Sequence, residues 1–364
     1  SQKMLSFTNE KITFGGYAQI DYNQPLSSTF YKNGKLDVHR MVLLFGYNFS
    51  ERTQFITELE FEHVKEVYVE QAWVNHRITN GLNFRGGLML VPMGLINEYH
   101  EPSTYNGVER PNVDKYIVPA TWREIGLGIN GNLISYGIDY QIYLLNGFNG
   151  YDGTAQFSGK SGLRGGRQKG AESYISSPNV AAKVNWFSIQ GLKIGLSGYM
   201  GDSQSKLYNN IDKTETQAIA KADSSVIGIN MLGLDAIYSL NNLELRGQYI
   251  LGNLSNAKAY NQFTGSDVGS AIQGWYTEVA YSIAMGKENT YNLKPFIRME
   301  QYDTHHKVDD LTVRNDAYSR TEITTGVSFE LSKGAVLKAD YQLFKNAASD
   351  ESSGQLNLGI GIWF

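Results

Sequence analysis

The chain has 364 residues, a formal net charge of −4, 38 Gly, 24 Tyr, 16 Phe, 7 Pro and no Cys. No run of about 18 apolar residues occurs, which excludes a helical membrane span, and the near-balanced charge offers no polybasic surface for nucleic acid. Abundant aromatics and glycine with few prolines favour many short strands joined by tight turns, and the lack of thiols is compatible with transit through an oxidising periplasm.

No basic-then-apolar leader precedes Ser1, so the sequence reads as a mature exported chain. In the first element Ile12, Phe14, Ala18, Ile20 and Tyr22 share one face, while Thr13, Tyr17, Gln19 and Asp21 share the other. Similar alternating segments begin near Lys35, Arg52, Val64, Gly81, Arg123, Ile134, Asn179, Leu192, Ser224, Asn242, Ala271, Leu293, Arg320, Ala335 and Gln355. Together they predict about sixteen strands, an even number as in bacterial outer-membrane barrels. A mean hydropathy of −0.33 is no objection, because transmembrane strands need only about 9–11 residues with every second one apolar. The segment from Ser224 changes phase: Ile227, Ile229 and Met231 are odd, but Leu232, Leu234 and Tyr238 are even, which predicts a bulge between Met231 and Gly233. The last segment, QLNLGIGIWF at residues 355–364, resembles the closing strand of outer-membrane barrels, whose terminal aromatic acts as an assembly signal.

Connection lengths alternate. Tight turns are expected at residues 48–52, 79–81, 132–134, 188–191, 240–242 and 332–334, with a slightly longer one at 286–292. Between them fall long loops at residues 24–34, 92–122, 149–178, 204–223, 255–270, 306–319 and 348–353, and one short member at 63–65. Short turns on one rim and long loops on the other predict a transmembrane antiparallel β-barrel of 16 strands with a periplasmic and an extracellular end. A soluble sandwich would show polar outer faces, and a propeller a repeat of about 40–50 residues; neither pattern is present. Tyr47, Phe49, Trp186, Tyr238, Trp275, Trp363 and Phe364 fall near strand ends, where aromatic rings favour the headgroup layer.

If the apolar parity faces lipid, the other parity lines the bore. Its basic members are Arg40, Arg85, Lys183, Lys193, Arg246, Lys294, Arg298 and Lys338. Its acidic members include Asp21, Glu124, Asp139, Asp235, Glu244, Glu278, Glu300, Glu322, Glu330 and Asp340. Basic groups cost about 2–4 kcal/mol against lipid at mid-membrane, so this set predicts a hydrated interior. One hairpin, residues 52–78, aligns Glu58, Glu60, Glu62, Glu66 and Glu70 on the inner face; they read either as ion-paired wall charge or as a cation-favouring constriction. Residues 92–122 hold four of the seven prolines with Glu98, Glu101, Glu109 and Arg110, and Arg123 follows. Proline stiffness suits a loop with a fixed path, either folded into the bore as a constriction or lying over the mouth.

Several segments resemble the phosphate-selective porin O and P family, found also in Bacteroidota. They are GGYAQ at 15–19, VEQAWV at 69–74, RGGLMLVPMG at 85–94, ER at 109–110, REIGL at 123–127 and LLNG at 144–147. The resemblance implies a 16-stranded outer-membrane channel, often trimeric, with its third extracellular loop folded inward. It also implies an arginine track for anions, to which Arg40, Arg85, Arg110 and Arg123 would contribute here, although carboxylates outnumber bases on the inferred wall.

Other signals carry less. GLGING at 126–131 matches a dinucleotide fingerprint but lies inside an alternating strand rather than at a strand-to-helix turn. SGKSGLRGGRQKG at 158–170 reads as a flexible solvated loop, or as a gatherer of anions or lipopolysaccharide phosphates. His305 and His306 adjoin Asp303, Asp309 and Asp310, yet neighbouring strand residues point oppositely and make a poor shared metal site. Neither H-E-x-x-H nor G-x-S-x-G occurs. The sequence therefore reads as a single barrel domain, residues 1–364, acting as a passive porin for small hydrophilic solutes or ions. No enzyme activity, cofactor, metal or nucleic acid is expected. Its partners would be outer-membrane lipid and lipopolysaccharide, and copies of itself in a trimer. A plugged barrel serving an envelope export or assembly complex is the alternative.

Overall fold

A computed structural model describes residues 11–287 and 290–364. Sixteen wall strands follow in chain order: β1 Ile12–Leu26, β2 Lys35–Asn48, β3 Thr53–Glu62, β4 Glu66–Thr79, β5 Leu82–Leu90, β6 Arg123–Leu133, β7 Ile138–Leu145 and β8 Asn179–Trp186. The second half comprises β9 Leu192–Asp202, β10 Gly228–Leu240, β11 Leu243–Ser255, β12 Ala271–Tyr281 with its continuation Ile283–Met285, β13 Tyr291–Lys307, β14 Ser319–Ser332, β15 Ala335–Asn346 and β16 Ser353–Trp363. Every neighbour pair is antiparallel, and β1 joins β16 from Tyr17↔Trp363 to Leu26↔Gly354, so the sheet is closed and has no free edge. At the seam Gly16 and Phe364 exchange backbone hydrogen bonds of 3.0 Å.

Side-chain parity divides the wall. Leu59, Leu127, Ile142, Leu196, Leu232, Ile297 and Leu358 stand on the outside, each about 40–60% exposed, as a belt suited to acyl chains. No helix among the described residues is long and apolar enough to cross a membrane, so the crossing is made by strands. The charged residues of the opposite parity face inward: Glu58, Lys183, Asp235, Glu278, Arg298, Glu300, Lys338 and Asp340 are all buried.

Several local expectations are corrected. No register shift occurs in β10, which runs unbroken from Gly228 against both neighbours. Ile229 and Met231 point inward and Leu232 and Leu234 outward, so both faces are apolar because both are covered, one by lipid and one by protein. Bulges sit elsewhere. His39 is extra in β2, between pairs Gln19↔Arg40 and Ile20↔Val38, and Glu70 is extra in β4, between Glu58↔Gln71 and Leu59↔Val69. The turn expected at 132–134 falls instead at Ile134–Tyr136 and closes on Gly137 at φ 59°, a left-handed position that glycine takes without strain. Of the turn expected at 286–292, residues 288 and 289 lie outside the described residues.

The bore is not simply a water-filled tube. Residues 91–122 leave β5, fold inside the barrel and return to β6, and their side chains Val91, Met93, Ile96, Val113, Ile117, Val118 and Trp122 are buried. These pack with wall residues Leu44, Ile56, Trp73, Ile229, Met231, Ile250 and Ile272 into one apolar cluster, so protein rather than water fills this part of the interior. Residues 158–170 are not a solvated tether either. Phe157 and Leu163 are fully buried, and Arg164 and Arg167 donate to the backbone carbonyls of Ala120 and of Pro119 through Thr121, so this loop caps the returning limb of the inner loop.

Candidate functional site: the inner loop and the outer vestibule

The inner loop crosses the bore and is bonded to the far wall through its own backbone. Lys338 Nζ on β15 donates to the carbonyls of Tyr105 (2.6 Å) and Gly107 (2.8 Å). Ser328 on β14 donates to Asn106 O at 2.7 Å, and the Val108 amide donates to Asp340 at 2.6 Å. Around this tip Asn106 reaches Glu278 (2.7 Å), Asn112 reaches Glu322 (2.8 Å), and the Val113 amide donates to Glu300 (3.0 Å). A loop without sheet partners must satisfy its buried amides and carbonyls somehow. Here the wall charges do it, which explains why so many inward-facing carboxylates and bases are needed.

Arg40 and His100 pair with three of the five carboxylates of the β3–β4 hairpin. Arg40 pairs with Glu60 at 3.0 Å and Glu62 at 3.6 Å. Glu58 accepts from Gln71 at 2.9 Å, and Glu70 faces His100 of the inner loop at 3.0 Å. The Glu70 bulge matters here, because it turns Glu70 and Gln71 inward together. Glu66 stands apart at the exposed rim, bonded by Tyr68. Burial opposes the charged form of His100, but the Glu70 carboxylate outweighs it and raises the imidazole above its ordinary value.

The four candidate arginines do not form one file. Arg40 and Arg110 face a common vestibule, with Arg110 donating to His100 O at 2.9 Å. Arg85 lies apart, its guanidinium 4.1 Å from the Trp73 ring centre, and Arg123 is buried beside Thr121 with Tyr68 at 5.6 Å. Glu109 accepts from Asn23 at 3.0 Å, and its carbonyl faces Arg298.

The vestibule is a cavity of about 890 Å³ above the inner loop, bounded by β1, β2 and β13–β16. Its lining includes seven basic residues (Lys35, Arg40, Arg110, Lys115, Arg164, Arg320, Lys345) and four acidic ones (Glu109, Asp114, Glu322, Glu351). Burial first, and then the Arg110 guanidinium, push Arg164 below its ordinary value; burial, Arg164 and Arg123 do the same to Arg167. Guanidinium groups stay protonated in proteins, so the consequence is a local positive excess rather than a lost proton.

Lys338, Asp340 and Glu278 organise this region together with His100, Arg164 and Arg320, and of these sequence reasoning singled out neither His100 nor Arg320 as a site residue. Parity placed the first three on the inner wall, but nothing local indicated that their partners would lie on the inner loop. Elsewhere, His305 is buried and committed, with Nε2 on Asp267 O at 2.5 Å and Nδ1 accepting from the Asn315 amide at 3.1 Å. No group of three or more metal-ligating side chains occurs among the described residues. The GLGING glycines lie within β6, where a Cβ on Gly128 would come within 2.0 Å of Ile142 O.

No family model matches the chain. An uncharacterized protein of Aquifex aeolicus (strain VF5) is 28% identical over 345 residues, covering 91% of this chain and 75% of that protein. Among solved structures, the anion-selective porin from Comamonas acidovorans superposes with a TM-score of 0.61 at 13% identity, over 97% of this chain and 99% of that one. The outer membrane channel DcaP of Acinetobacter baumannii gives 0.60 at 10% identity, over 97% of each chain. The trimer form of OmpT from Vibrio cholerae gives 0.55 at 10% identity, over 97% and 99%. At such identities the likeness is one of fold. Closure, apolar belt, loop asymmetry and these superpositions agree: the chain is a sixteen-stranded outer-membrane β-barrel with the porin fold.

Proposed function

We propose that the chain is a passive porin of the phosphate-selective porin O and P type, passing small hydrophilic solutes down their gradient and favouring anions, phosphate among them. The observation that carries this reading is the inner loop, which crosses a closed barrel beneath an outer vestibule whose lining has more bases than acids. Pairing of Glu60 with Arg40 and of Glu70 with His100 offsets part of the charge that would favour cations. Two unit charges at ~4 Å interact by about 4 kcal/mol near a protein surface, so the unpaired arginines above the loop weigh on which ions enter. The inner loop would set the size limit, and Arg40, Arg110 and Glu109 the charge preference at its outer face. A homotrimer, as in the trimer form of the Vibrio protein, is the assembly that goes with this reading.

The test is single-channel recording in a planar bilayer with reversal potential under a tenfold KCl gradient. A potential displaced toward the chloride equilibrium value is expected. Displacement toward potassium removes the anion preference. A silent bilayer removes the porin and favours the plugged barrel, a reading that the apolar packing of the inner loop also supports.

A further inference from the structure

We propose that the outer vestibule binds a carboxylated, polyhydroxylated solute of one to two sugar units, a sugar acid, and is more than a charged entrance. The proposal deepens the channel reading and rests on it for transport, though not for binding.

Size comes first. A cavity of about 890 Å³ lies within the ~300–1,000 Å³ of small-molecule sites, whereas a bare oxyanion would occupy only a small part of it. Charge comes second. Arg110, Lys115, Arg164 and Arg320 line the cavity, and among the described residues none has a carboxylate within salt-bridge distance. Arg320 sits over Tyr116, its guanidinium carbon 4.5 Å from the ring centre, a contact that helps to hold the fork in place for a carboxylate.

The chemistry of the lining comes third. Arg110, Arg320 and the amides of Asn23 and Gln342 bring donors to the cavity wall, and Asp114 and Glu322 bring acceptors. A carboxylate provides acceptors and sugar hydroxyls provide both. Inorganic phosphate could meet the bases but would leave most of the volume and the amides of the lining unused.

The remaining lining agrees. Seven side-chain amides (Gln19, Asn23, Asn33, Asn112, Gln342, Asn346, Gln355) suit hydroxyl recognition.

The full chain in detergent micelles is titrated calorimetrically with galacturonate, galactose and inorganic phosphate at one ionic strength. Galacturonate is expected to bind at least about tenfold more tightly than either other probe, the worth of one charge-assisted contact. R320Q should weaken galacturonate about tenfold. K115Q, at an exposed position that leaves packing untouched, should weaken it severalfold even if R320Q fails to fold. Absence of galacturonate binding overturns the site, as does equal binding of galactose, or phosphate binding at least as tightly. Unchanged affinity in K115Q together with a folded R320Q overturns it too. Micelle binding needs no conduction, so a silent bilayer with intact galacturonate binding would end the channel reading and leave this site standing.

Discussion

Lys338 shows how one wall residue positions a loop that has no sheet of its own. Its ammonium is buried between two carbonyls of the inner loop and lies 4.2 Å from the Tyr105 ring centre. K338M keeps the stem but removes both donors, and hydrogen bonds to a charged group contribute about 1.5–3 kcal/mol each. Loop docking should weaken by about 3 kcal/mol, visible as faster protease cleavage within residues 92–122 of otherwise intact barrels; an unchanged cleavage rate would refute the clamp. His100 makes the docking pH-dependent. Although burial disfavours its charge, Glu70 raises its pKa, with Glu101 assisting and Arg110 opposing. A raised value means that the docked loop holds the proton more tightly than the free loop. The contribution is therefore complete below the ordinary histidine value of about 6.5 and is lost as pH rises through the elevated one. Cleavage of the inner loop should accelerate as pH rises above the ordinary histidine value, and H100Q should abolish that pH dependence.

At the scale of a strand, β10 separates what periodicity can and cannot tell. Leu232 faces lipid and Met231 faces the inner-loop cluster, though they are adjacent and similar in hydropathy. L232R should cost about 2–4 kcal/mol if it stands at mid-membrane depth. M231A should cost about 2–5 kcal/mol through the cavity it leaves. Denaturant titration of the barrel refolded in lipid vesicles checks both, and a neutral L232R would mean that the parity is reversed. Strand number, loop asymmetry and inward charge were legible because hydrocarbon outside and protein or water inside impose a period of two on every segment. The β10 phase was misread because alternation marks a face only when the other face is polar, and here the inner loop makes it apolar. The Glu70 and His39 bulges left no such signal, since one extra residue in a mixed polar run looks like ordinary sequence. Candidate site residues were legible as inward charges but not as pairs. Arg40 finds Glu60 across one strand pair, whereas His100 finds Glu70 only because a loop 30 residues later in the chain folds back through the bore.

For the molecule as a whole, the wall and its contents are separable. Strands β5 and β6 pair directly from Asn83↔Asn130 to Leu90↔Arg123, so the ladder that closes the barrel does not run through the loop between them. Replacing residues 92–121 by a short glycine-serine turn should therefore leave a closed barrel that still migrates in its folded, heat-modifiable form. It would not be equally stable, because Leu44, Ile56, Trp73, Ile250 and Ile272 would lose their cover. Each fully buried side chain of this kind is worth about 1.5–3 kcal/mol, so the unfolding midpoint should fall markedly. Conductance decides what the loop is for. If the native chain conducts and the excised one conducts severalfold more, the loop is a constriction in an open path. If only the excised chain conducts, the loop is a plug and the barrel serves another purpose. Equal conductance in both would mean that solutes bypass the loop, and then neither Lys338 nor His100 could govern flux, whatever they do for docking.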